Sequence, residues 1–222
     1  MTETGQIAFT VFLDANVLAK PVTRTLLMAA GAASGYGAVW SAYVESEADR
    51  HARPEQRPVS QVRILTDSEL TPTGSNAERF AATSPKDRQV LADAVAAEAL
   101  FLITEDVDDF GHEDLMSAGI TAVNPDLFMS IKATPAAYRE ALGLMVQRFR
   151  NPRRSVGQLH ERLGRAHPLT ARAQAAQFPG EEPLSPTHNA PAELYRGNRC
   201  LNCLQTGPSV TLGLCPACAE FE

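Results

Sequence analysis

No cysteine occurs before position 200, and no stretch approaches the 18 or more consecutive apolar residues that a membrane-spanning helix requires. The opening MTETGQ has neither the basic start nor the apolar core of a secretory signal, so a cytoplasmic location is expected. Positive charge is also scarce. The 20 Lys and Arg stand against 26 Asp and Glu, a net charge of -6, which weighs against a generic nucleic-acid binder because phosphate contacts need cations. What is present suffices for a core: 222 residues, 44% of them hydrophobic, are consistent with one medium domain plus an appendage.

Four short runs rich in β-branched and aromatic residues predict strands: IAFTVFL (7–13), GYGAVW (35–40), ALFLI (99–103) and ITAVN (120–124). Between and after them, 22–30, 41–52, 86–99 and 125–133 carry helical periodicity. Alternation of strand and helix implies right-handed crossovers and an α/β fold whose mostly parallel central sheet is covered on both faces. Ligands in such folds bind beyond the carboxyl ends of the strands. Asp14 and Asn16 fall just past the first strand; Thr104, Asp106, Asp108 and Asp109 fall just past the third.

Several acids brought to one sheet edge repel one another and push each other's pKa upward. A hard divalent cation removes that penalty, taking some carboxylates directly and others through its water shell, and a bound Mg²⁺ or Mn²⁺ can activate water beside a phosphoryl group. Each acid also has a plainer explanation. Asp14 and Asn16 can form an Asx-type turn. Asp87, three residues after the candidate N-cap Ser84 and two after Pro85, can simply complement a helix dipole. Glu45 and Glu47 can lie on a solvated helix face, and Asp106 to Asp109 in a polar loop. The joint order of strand–Asp, helix–Glu, helix-start–Asp and strand–Thr-x-Asp favours the shared site.

The segments FLDANVL, VWSAYVESE, SPKDRQVLADAVAAEALFLITEDVDDF and GITAVNPDLFM, in that order, resemble the PIN-domain ribonucleases, in particular VapC-type toxins of toxin–antitoxin pairs. The likeness runs from about residue 7 to about 178. It includes the R-x-L-L element at Arg24 to Leu27 and the stretch RNPRRSVGQLHERLGRAHPLTARAQA. The resemblance implies a three-layer fold, an acid cluster binding Mg²⁺ or Mn²⁺, and cleavage of single-stranded or looped RNA to a 5′-phosphate and a 3′-hydroxyl. By position, Asp14 matches the first acid, with Asn16 orienting it. Glu47, six residues after Ser41, matches the second in preference to Glu45, and Asp87 matches the third. The fourth is shared between Asp106 and Asp109, with Asp106 placed ahead and Thr104 supporting. In this reading Asp14, Asp87, Asp106 and Asp109 face the cation and Glu47 handles the attacking water. A cognate antitoxin is an implied partner, and homodimers are frequent in the family. The AKPVT after the first motif and the proline-rich 53–60 depart from the family pattern and bear on the substrate and partner surfaces.

Residues 139–172 hold eight arginines against two glutamates, a charge of 8 - 2 = +6 within an acidic chain. Arg148, Arg150, Arg153 and Arg154 are the candidates for contact with RNA or with an acidic partner, and both uses exploit the same field. Solvation of two surface helices is the alternative. Residues 179–198 are rich in proline and polar groups and suggest a linker. All four cysteines follow, as Cys200-x₂-Cys203 and Cys215-x₂-Cys218, with 11 residues between the pairs. That is the spacing of a tetrahedral Cys₄ Zn²⁺ site, structural because every ligand is a protein thiolate. Disulfides are the competing reading, disfavoured in a reducing compartment. The expected organisation is a nuclease-like domain at 1–134, basic helices at 135–178, a linker at 179–198 and a zinc-ribbon-like module at 199–222. Three functions follow: a metal-dependent endoribonuclease toxin, an RNA-processing nuclease, or a non-catalytic adaptor.

Overall fold

The computed structural model of the protein describes residues 7–53, 55–147, 154–186 and 193–220. In chain order its elements are β1 (Phe9–Leu13), α1 (Ala15–Leu18), α2 (Pro21–Gly31), β2 (Tyr36–Val39), α3 (Ala42–His51), α4 (Val59–Thr66), α5 (Arg88–Ala96), β3 (Phe101–Ile103), α6 (His112–Ala118), β4 (Thr121–Val123), α7 (Pro125–Lys132), α8 (Pro135–Val146), α9 (Val156–Leu163), α10 (Pro168–Ala173), β5 (Tyr195–Arg196) and α11 (Pro216–Ala219). The fold is α/β, with one five-stranded sheet in the order β2-β1-β3-β4-β5. The first four strands are parallel and β5 runs antiparallel to β4.

The residues of β3 and β4 are all buried. Because successive side chains in a strand point to opposite faces, both faces of the sheet centre must be covered. Phe9, Tyr36, Phe101 and Phe128 form an aromatic chain on one side, with ring centroids 5.1–6.0 Å apart in tilted and edge-on arrangements. The register Leu13↔Ile103 and Ile103↔Val123 aligns the carboxyl ends of the three central strands. The ladder continues past them through Asp14 N donating to Ile103 O and Thr104 N donating to Val123 O, 3.0 and 3.1 Å.

Four strands and four helices stand where the hydrophobic pattern places them. One boundary differs instructively. The pattern over 86–99 runs to the next strand, yet α5 ends at Ala96, because Glu98 adopts φ 52° and closes the helix. Ala99 N donates to Ala94 O and Glu98 N to Val95 O, the two bonds of a Schellman stop. A glutamate holds the left-handed position usually given to glycine, so the stop leaves no mark in the sequence. At its start, α5 begins at Arg88 with Asp87 as the flanking residue, and the Asp87 side chain makes no capping bond. The expected placement of Asp87 inside the first turn is therefore corrected.

Both ends of the expected linker at 179–198 make contacts with the α/β domain. Leu184 N donates to Glu161 O on α9, 2.9 Å, and Tyr195 and Arg196 pair with Val123 and Ala122 as the edge strand β5. Gly197 sits at φ +146°, and a Cβ there would stand 2.4 Å from Thr121 Oγ1, so only glycine lets the chain pass so close to β4. The cysteine segment that follows inserts Leu201, fully buried, into the main core. No helix among the described residues is long and apolar enough to cross a membrane.

Candidate functional site

Asp14 follows the last residue of β1 and is the N-cap of α1. One carboxylate oxygen accepts from Ala15 N at 2.6 Å and the other from Thr104 Oγ1 at 2.7 Å. The local turn and the contact across the sheet are both present, since the strand end brings Thr104 alongside. Asn16 Nδ2 donates to Thr104 Oγ1 and to Asp106 Oδ2, both 3.1 Å, while Asn16 Oδ1 accepts from Glu105 N at 3.2 Å. Asp106 N in turn donates to Thr104 Oγ1 at 3.2 Å. Asp14, Asn16, Thr104 and Asp106 thus form one hydrogen-bonded network joining the ends of β1 and β3.

On α3, Glu45 and Glu47 are two residues apart and so point to opposite sides of the helix. Glu45 is buried, accepting from Trp40 Nε1 at 3.0 Å and from Arg63 Nε at 2.8 Å. Glu47 faces the acids: it raises the pKa of both Asp14 and Asp87. Asp87 enters from the turn before α5. That turn is tied to the acid loop by Ser84 N donating to Asp109 O, 2.8 Å, and by Lys86 Nζ on Asp109 Oδ2, 2.7 Å.

Burial is the main cause of the electrostatic strain here. It pushes the Asp14 carboxyl up to about 7, against the hydrogen bonds from Thr104 and Ala15, with Asp87 and Glu47 adding to the rise. Asp87 is pushed up to about 6, again chiefly by burial; Lys86 and Ser84 oppose this, and Asp109 and Glu47 reinforce it. Asp87 Oδ2 is buried and accepts no hydrogen bond, with Lys86 Nζ 3.8 Å away. Lys86 is itself held protonated, first by its bond to Asp109 and then by Asp87.

The structure therefore brings Asp14, Glu47, Asp87, Asp106 and Asp109 to one sheet edge. Asp106 joins Asp14 through Asn16 and Thr104, whereas Asp109 joins Asp87 through Lys86. Two residues were missed by sequence reasoning. Lys86, the counter-ion of the acid loop, stood in plain view beside Asp87 in SPKD. Tyr43, whose hydroxyl reaches Lys86 O at 3.5 Å and whose pKa is raised by burial, Glu47 and Asp87, had no sequence signal. Of the arginine candidates, Arg148, Arg150 and Arg153 lie outside the described residues, and Arg154 is half-buried.

The four cysteines are unpaired by disulfide, and their sulfurs all lie within 4.8 Å of one another. Cys203 Sγ and Cys215 Sγ are 3.7 Å apart. A disulfide needs about 2.05 Å, whereas an ion bound at about 2.3 Å from each of four sulfurs makes tetrahedral edges of about 3.8 Å. The set could hold a metal ion such as zinc. Although burial raises it, Cys200 is drawn down to about 6 by the amides of Cys203, Cys215 and Asn202, while hydrogen bonding with Cys215 pushes Cys218 up to about 12. Gly213, at φ +84°, lets the second knuckle close over Leu201, whose amide donates to Gly213 O at 2.6 Å. Among the described residues, this is the one group of three or more His, Cys, Asp or Glu donors that meets the 4.8 Å distance. The carboxylates do not close so tightly.

No protein-family model, curated protein or solved structure matches the chain.

Proposed function

We propose that the chain is a divalent-metal-dependent endoribonuclease of the PIN type, acting as the toxin of a toxin–antitoxin pair, with a structural zinc centre at its C-terminal end. The observation that carries this reading is the convergence of Asp14, Glu47, Asp87 and the Asp106–Asp109 loop on the carboxyl edge of a parallel sheet, where two of the carboxyls are forced toward neutrality. A cation suits this donor set: Asp87 Oδ2 is buried without a hydrogen bond, and among the described residues Lys86 is the ammonium that pairs with Asp87 and Asp109. Asp14 and Asp87 would hold Mg²⁺ or Mn²⁺, with Asp106 and Asp109 flanking them. When bound, the ion offsets charge on the scissile phosphate and lowers the pKa of water.

The protein's own groups do the rest. Thr104 and Asn16 orient the Asp14 and Asp106 carboxylates through the bonds described above. Glu47 takes the proton from the attacking water, whose oxygen bonds to phosphorus as the bond to the 3′-oxygen breaks; that oxygen leaves as the 3′-hydroxyl on taking a proton from solvent water. Lys86 neutralises Asp109 and lies at the same edge as the phosphate path.

The four thiolates would bind Zn²⁺ in a closed tetrahedral site that stabilises the C-terminal segment and takes no part in chemistry. The antitoxin, a second copy of the chain and the arginine-rich 139–172 segment belong to the same reading. The deciding experiment incubates purified protein with a mixed RNA pool, with and without EDTA, beside an Asp14→Asn/Asp87→Asn double variant. Cleavage leaving 5′-phosphate ends, abolished by EDTA and by the double variant, is the expected result. RNA left intact by metal-replete wild type would overturn the assignment, and growth arrest on expression separates a toxin from a processing enzyme.

A further inference from the structure

The chain leading into the four-cysteine segment touches the acid loop. Arg196, in β5, donates through Nη1 to the backbone carbonyls of Phe110 and Asp108, 2.7 and 3.1 Å. Its Nε faces both oxygens of Glu193, 3.1 and 3.0 Å, and its Nη2 completes the pair. The guanidinium is thus aimed by one carboxylate and spent on the two carbonyls that bracket Asp109. The Asp109 carbonyl itself accepts from Ser84 N, so the backbone on both sides of this acid is held from outside its own loop.

A two-residue edge strand is too short to stay in place unaided. Here it is anchored at both ends. Before it, Asn124 N donates to Leu194 O at 2.8 Å. After it, Arg199 N donates to Thr121 Oγ1, and the Arg199 guanidinium reaches Leu204 O and Gly119 O, at 3.2, 2.9 and 3.3 Å. Leu204 and the buried Leu201 belong to the first cysteine knuckle, which supplies two of the four sulfurs of the metal-binding set. A segment of this size without its metal has little to keep it folded.

We infer that Arg196 is a positioning residue that couples the four-cysteine centre to the acid loop: metal at the cysteines keeps β5 on the sheet edge, and Arg196 on β5 holds the Asp108 and Phe110 carbonyls and so the placement of Asp109. The backbone coupling stands on the contacts alone; its consequence for catalysis rests on the nuclease reading. Charge-assisted bonds to two carbonyls give it enough strength to matter.

Amide hydrogen exchange on the full-length, zinc-loaded protein tests this without reference to activity. Arg196→Gln is expected to speed exchange at Asp109 and Phe110 about tenfold, leaving β1 and β3 at wild-type rates. Stripping zinc with a chelator is expected to speed the same amides in the wild type and to add little in Arg196→Gln, because both act through one contact. Arg196→Lys, which retains a donor, restores part of the protection. If Arg196→Gln also loosens β1 and β3, Glu193→Gln decides: faster exchange confined to the loop supports the coupling, and no change refutes it. Loop exchange that ignores Arg196→Gln, or that ignores zinc removal while the cysteine segment opens, overturns the inference. In parallel RNA assays Arg196→Gln lowers kcat and leaves KM unchanged. A wild type that cuts no RNA removes the nuclease reading and leaves the exchange result standing.

Discussion

Replacing Asp14 by asparagine in metal-free buffer separates a carboxylate that serves the fold from one the fold tolerates for another purpose. Burial pushes the native carboxyl up to about 7 from its ordinary value of 3.8, so the native state binds its proton more tightly than the unfolded chain. Between those values wild-type stability must fall as pH rises, by about 1.4 kcal/mol for each pH unit and about 4 kcal/mol in full by pH 8. Asparagine has the same shape and no charge. It can keep one of the two bonds now made to Ala15 N and Thr104 Oγ1, and the lost one costs about 1 kcal/mol. The variant should match the wild type to within about 1 kcal/mol at pH 5 and exceed it by about 3 kcal/mol at pH 8, raising Tm by about 6–12 °C. Urea denaturation in EDTA at the two pH values measures this, and an unchanged m-value shows that the same transition is compared. A variant less stable than the wild type at pH 8 would mean that Asp14 is chiefly a helix cap, and the argument from strained acids would fail. Added Mg²⁺ should stabilise the wild type at pH 8 and not the variant.

The two glutamates of α3 should separate cleanly. Glu45→Ala leaves Arg63 and Trp40 Nε1 without their partner and should cost about 3 kcal/mol in urea denaturation, while Glu47→Gln should change stability by less than about 0.5 kcal/mol and abolish RNA cleavage. Cys215→Ser should remove one of four thiolates, so that cobalt titration followed by its thiolate absorption no longer reaches the one-to-one end point of the wild type, and the C-terminal segment should become protease-sensitive.

Much of the sheet could be read along the chain because its signals are local. A buried parallel strand needs a short apolar run, and an amphipathic helix shows its period within a few turns. Where the signal is weak or hidden, reading fails. α6 carries no expectation from the sequence, since its seven residues hold Glu113 and Asp114 in the first turn and too few apolar residues to show a period. The stop of α5 is carried by a glutamate in a conformation that only tertiary packing imposes. β5 has two residues, too few for any period, and its pairing with β4 depends on contacts about 70 residues away in sequence.

The candidate site divides along the same line. Asp14 and Thr104 were identifiable because each directly follows a recognisable strand, with Asn16 two residues beyond Asp14, and parallel register brings strand ends together. The role of Lys86 was not, because an ion pair between residues 86 and 109 leaves no trace in either local sequence.

Residue order by itself determined the alternating α/β architecture and the four-thiolate set, since hydrophobic period and two Cys-x₂-Cys turns act over distances shorter than one helix. Tertiary structure alone decided that Glu45 is spent on Trp40 and Arg63, which cation neutralises Asp109, and that the chain leading into the cysteine segment pairs with β4 and reaches the acid loop through Arg196. Those depend on burial and on contacts between distant segments, and neither exists until the chain has closed.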